Sequence, residues 1–118
     1  MPNPRDIRDY LHDILHDIDN ARNFTSNMSL PEFQADEKTI YAVAKCLENI
    51  GEAVKRMPDD IRDKYNIIPW REIAGMRDIL SHEYFQVEVA EMWITVQNDL
   101  QSLEDAVKQI LSEMEFRQ

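Results

Sequence analysis

Eight consecutive residues, Arg77-Asp78-Ile79-Leu80-Ser81-His82-Glu83-Tyr84, hold a permanent cation, an imidazole and a phenol. A guanidinium stays charged and presents a planar fork of donors that suits phosphate oxygens. An imidazole titrates near neutrality and can take or give a proton in a transition state. Together they supply what cleavage of a phosphodiester by its own neighbouring 2′-hydroxyl requires: a proton carrier, and a fixed positive charge for the developing oxyanion. That reaction needs no metal. On a single α-helix, however, Arg77 and His82 would stand about 140° apart around the axis and about 7.5 Å apart along it, so they do not share a face. Two arrangements bring them together. The helix ends just before His82 and the ring swings back, or the groups converge with their copies from a second subunit across a two-fold axis, which is the favoured arrangement. In the helical case Asp78, four residues before His82, reaches it as an orienting acceptor or ion-pair partner.

The elements that must carry these residues are helical. Asn3 and Pro4 give an N-cap and a first helical residue, and Ile7, Tyr10, Leu11, Ile14, Ile18 and Ala21 then recur at helical spacing to about Phe24. A polar connection from Thr25 to Ala35 has room for a short turn at Leu30 to Phe33. Asp36 caps a second helix with the apolar stripe Ile40, Val43, Ala44, Leu47, Ile50, Val54. Gly51 lies on or beside that stripe, where it would allow the close approach of another helix. Pro58 begins a short third helix to about Tyr65, and Pro69 a fourth that delivers Arg77. Val87 to Glu115 reads as the last long helix, with Val89, Met92, Trp93, Val96, Leu100, Leu103, Val107, Ile110 and Met114 on one side and no Gly or Pro inside it. The fold expected is all-α, an antiparallel up-and-down bundle of about five helices forming one domain over residues 1–118. The stripes are wide enough for both a core and a homodimer surface.

At these residues the chain resembles a known family. Arg77-x4-His82-x-Tyr84 is similar to the Arg-x4-His-x-Tyr signature of HEPN-domain ribonuclease toxins, the toxin half of HEPN/MNT (minimal nucleotidyltransferase) toxin–antitoxin pairs. The resemblance extends to Ile50-Gly51-Glu52-Ala53, to Ile68-Pro69-Trp70-Arg71 leading into Ile73-Ala74-Gly75-Met76, and to Tyr84-Phe85, and so covers nearly the whole chain. One departure is Asp78, where the toxin group more often has Asn; a carboxylate there adds negative charge beside an incoming phosphate. The resemblance implies a homodimeric, metal-independent endoribonuclease of a type II toxin–antitoxin system, without a cofactor. Arg77 and His82 would be catalytic, Asp78 and Ser81 supporting. Tyr84 would be the residue that the partner nucleotidyltransferase silences by adenylylation from ATP.

Charge qualifies that reading. The formal net charge is −10, whereas non-specific nucleic-acid affinity is built mainly from Lys and Arg neutralising phosphates. Six cations, Lys55, Arg56, Arg62, Lys64, Arg71 and Arg77, stand against Asp59, Asp60, Asp63 and Glu72, which makes residues 55–77 a +2 island in a remainder of −12. The island reads either as a seat for a short RNA segment or as an ordinary mixed-charge surface. The competing function class is a non-catalytic helical dimer that binds a nucleotide or a partner protein; the acidic balance and Asp78 favour it, and the intact Arg77, His82 and Tyr84 favour the ribonuclease.

The remaining groups read as scaffold. Cys46, the one cysteine, sits among Val43, Ala44 and Leu47 and is read as a small buried filler, compatible with a reducing cytoplasm. His12 and His16 are spaced to chelate a metal on one helix, but the charges around them read as a solvated face and no metal is expected. Tyr10, Tyr41 and Tyr65 are expected at the core edge, and Trp70 and Trp93 in packing. With no apolar run long enough for a signal peptide or membrane span, a cytoplasmic location is expected.

Overall fold

A computed structural model describes residues 6–76 and 85–116, the side chains of 85–87 and 116 excepted. Every regular element among them is helical. The first, α1, spans Ile7–Phe24 and buries Leu11, Ile14, Ile18 and Ala21. Asn3 and Pro4, the expected start, lie outside the described residues; Asp6 is extended and its carboxylate accepts from the backbone N–H of Arg8, so Asp6 caps α1.

The connection after α1 holds more structure than a turn. Ser29 and Glu32 form a reciprocal capping box, each side chain accepting from the other's backbone N–H, and they start α2, Leu30–Ala35. Phe33, fully buried, is what α2 contributes to the core. Asp36 then caps α3, Glu37–Lys55, by accepting from Thr39 N at 3.1 Å. All six residues of the expected α3 stripe are buried, as are Cys46, Gly51 and Ala53.

Two short helices cross from α3 toward the end of the chain. They are α4, Asp59–Lys64, and α5, Trp70–Ala74, each entered through a proline and neither with a side-chain cap. The last run comprises α6, Phe85–Ile94, a π-helical turn, Thr95–Asp99, and α7, Leu100–Phe116. Sequence periodicity gave no sign of the π turn. There Leu100 N–H donates to Thr95 O, five residues back, and the Thr95 hydroxyl returns to Glu91 O at 2.9 Å. A hydroxyl competing for the helical carbonyl and β-branched crowding at Thr95-Val96 are local reasons for the looser turn.

The bundle is antiparallel where its contacts fix direction. Ile7, at the start of α1, shares a cleft with Ile110 and Met114 near the end of α7. Arg22, near the end of α1, bonds Gln101 and Glu104 near the start of α7. The core runs between α1, α3 and the last run, and each fully buried Leu or Ile contributes about 1.5–3 kcal/mol of hydrophobic stabilisation. No helix among the described residues is long and apolar enough to cross a membrane.

Candidate functional site

Residues 77–84, and with them Arg77, Asp78, Ser81, His82 and Tyr84, lie outside the described residues; their two flanks do not. The entrance is α5. Trp70 is buried, its backbone N–H donates to Ile68 O at 2.8 Å, and its indole Nε1–H donates to Tyr65 O at 3.0 Å. Ile73, one turn on, is buried too, so α5 lies against α3 although it is only five residues long. Gly75 follows, exposed and with ordinary right-handed helical angles. A Cβ added there would meet nothing within 4 Å, so neither backbone conformation nor crowding by the described residues demands a glycine.

The exit is α6, which packs on α2 and α3. Val89 and Met92 are buried, and the ring of Trp93 lies 5.4 Å from that of Phe33, tilted by 39°. Both tryptophans therefore serve packing, as expected. The two elements that flank residues 77–84 in sequence are fixed on the same helix, α3, which carries the buried Gly51.

The basic island proves partly committed to the protein itself. Arg56 pairs with Glu52 at 2.9 Å, and Arg62 donates to Val54 O at 3.0 Å, a carbonyl at the end of α3. Lys64 reaches α7, where its ammonium meets Glu113 at 2.6 Å and stands 5.7 Å from the Tyr65 ring centre. That ammonium, with Tyr65 alongside, holds the Glu113 carboxyl below the usual carboxylate range. Lys55 and Arg71 are exposed. The mixed-charge reading of this stretch thus gains support: three of its cations brace α3, α4 and α7.

Elsewhere the reading of Cys46 as a buried filler holds. Cys46 is buried, and desolvation, with Asp17 nearby, pushes its thiol up to about 11, which leaves it an unreactive neutral filler. His12 and His16 are exposed on α1. His16 borders a polar groove of about 460 Å³ between α1 and α3, with Asp13, Asp17, Asn49 and Glu52. Asp17 is raised there by desolvation, against which Asn49 donates a long hydrogen bond of 3.4 Å. Among the described residues no three of His, Cys, Asp and Glu converge as metal ligands. The feature that sequence reasoning missed is Glu104. It is buried within the apolar stripe of α7, accepts from Arg22 at 2.9 Å and lies 3.9 Å from Lys108. A glutamate between Leu103 and Val107 was the available signal.

With this geometry in place, the chain can be set beside known proteins. Residues 14–110 match the sequence model of the family described as Ribonuclease HepT-like. The Methanocaldococcus jannaschii protein named "Putative RNase MJ1216" is 45% identical over 111 residues, which covers 94% of this chain and 92% of that one. "Putative RNase MJ0125" of the same organism is 44% identical over 111 residues, covering 94% and 96%. "Probable ribonuclease HepT" of Thermococcus cleftensis is 46% identical over 99 residues, covering 84% and 90%. No solved structure matches the chain.

Proposed function

We propose, because this chain belongs to the ribonuclease HepT-like family, that it is the toxin of a toxin–antitoxin pair and cuts RNA as a homodimer in the cytoplasm without a metal. The observation that carries the reading is the residue set Arg77-x4-His82-x-Tyr84, strung between α5 and α6, both held on α3, in a chain matched to that family over residues 14–110.

In the reaction proposed, a ribose 2′-oxygen attacks the adjacent phosphorus and its proton passes to an imidazole. The bond to the 5′-oxygen breaks and that oxygen takes a proton, leaving a 2′,3′-cyclic phosphate and a 5′-hydroxyl end. His82 is the base or the acid, and two copies in one dimer cleft divide the roles. Arg77 holds the phosphate and stabilises its developing charge. Asp78 orients His82, and Ser81 donates a hydrogen bond to substrate. DNA lacks the nucleophile and survives.

Control rests on Tyr84. A partner nucleotidyltransferase transfers an adenylyl group from ATP to the phenol and releases pyrophosphate. The anionic nucleotide, two residues from His82, then occupies the cleft and repels the RNA backbone. His82→Ala should abolish cleavage of RNA, with unchanged circular dichroism; persistent cleavage in a preparation free of contaminating nuclease would refute the assignment. Intact mass after incubation with the partner and ATP should show an adduct on wild type and none on Tyr84→Phe.

The commitment of Arg56, Arg62 and Lys64 to intrachain contacts favours a second reading, a non-catalytic dimer that binds a nucleotide or partner. Growth arrest on expression of the chain alone, relieved by His82→Ala, separates the two.

A further inference from the structure

The connection into α5 and the flank of α7 enclose a groove of about 330 Å³ that the nuclease reading does not use. One wall is apolar: Ile67, Ile68 and Pro69. The other is the stripe of α7 and the preceding turn that carries Asp99, Asp105 and Ala106. Ile68 and Ala106 are buried and form the floor, whereas Ile67 is 88% exposed, more than any other large apolar side chain among the described residues. Scattered surface isoleucines need no explanation, but one standing at the lip of a groove does.

The groove also has one sign of charge. Asp99 and Asp105 are exposed lining residues, and among the described residues no lysine, arginine or histidine lines it. Lys108, on the same turn of α7 as Asp105, leans toward Glu104 instead. The Asp105 carboxylate already accepts from the Gln101 side chain at 2.9 Å, which leaves it further acceptor capacity.

We propose that this groove docks a basic, aliphatic segment of a partner protein. An aliphatic side chain of the segment covers Ile67, and an arginine or lysine about one helical turn away meets Asp99 and Asp105. Charge selects against RNA, whose phosphates the two carboxylates repel. The groove ends at Pro69, next to Trp70, so the docked segment sits on the entrance to α5. The inference stands without the nuclease reading.

The probe is a labelled helical peptide with leucine and arginine four residues apart, set against the same peptide with glutamate in place of arginine. The arginine peptide should shift the amide signals of residues 66–68 and 102–106, and its affinity should fall with added salt. Ile67→Ser, and separately the pair Asp99→Asn with Asp105→Asn, should each weaken it about tenfold or more; all three positions are exposed, so the fold persists. Equal binding of the two peptides, undiminished binding by the variants, or shifts confined elsewhere would overturn the proposal. So would the same shifts on adding a single-stranded RNA oligonucleotide, or self-association that Ile67→Ser abolishes.

Discussion

The α1–α3–α7 bundle and the α4–α5 crossover are built by different means. In the bundle, α1 and α3 carry side-chain caps, and α1, α3 and α7 have stripes of fully buried aliphatics, while the Arg22–Glu104 pair ties α1 to α7. The crossover has neither caps nor a stripe: α4 buries no residue, and α5 buries two. Its place is set by the buried Trp70 and Ile73 against α3 and by two single tethers, Lys64 to Glu113 and Arg62 to Val54 O. Short helices are marginal on their own, so tertiary contacts must hold them. The less redundant of the two regions is thus the one that leads into residues 77–84.

Substitutions can break that comparison. Trp70→Ala removes the larger of the two anchors of α5. It should cost about 3–5 kcal/mol, and cleavage should fall further than the folded fraction explains; Leu47→Ala, in the bundle, should cost about 2–5 kcal/mol with cleavage tracking the folded fraction. Urea unfolding alongside activity per folded molecule checks both, and equal loss of activity per folded molecule would erase the distinction.

A smaller effect is expected at Gly75. The backbone suits alanine and no described residue crowds the position, so Gly75→Ala should raise stability by about 0.4–1 kcal/mol. A lower melting temperature would mean that the crossover is packed more tightly than its flanks indicate.

The smallest effect is the pH response of the Lys64 tether. The folded Glu113 carboxyl is held below its unfolded value, so its contribution is present above the ordinary carboxylate pKa and is lost as pH falls through the depressed folded value. Hydrogen exchange of the α4 amides should accelerate in that acid range before the amides of α3 do, and Lys64→Met should remove the difference.

Helical periodicity made the bundle legible. The stripes of α1, α3 and the last run, the Asp36 cap and the proline starts of α4 and α5 all follow from local pattern. What pattern left out depended on competition or distance. Asp6 and Asn3 are both plausible caps; Thr95 chooses among carbonyls; Glu104 is acceptable inside a stripe only because Arg22, far away in sequence, reaches it. The candidate site was legible as residue types and order. Its flanking supports became visible only in the fold, which also shows that cations counted as a group in the sequence are divided among intrachain tasks.

The π turn at Thr95–Asp99 has a mechanical consequence. An α-helix advances about 100° per residue, and one wider turn absorbs roughly one residue's worth of rotation. The uninterrupted run from Phe85 to Phe116 can therefore present α6 to α2 and α3 while α7 faces α1. A chain shortened by one residue inside this turn would keep both ends in phase as a regular helix, whereas the same deletion a turn earlier or later would swing an apolar row into water.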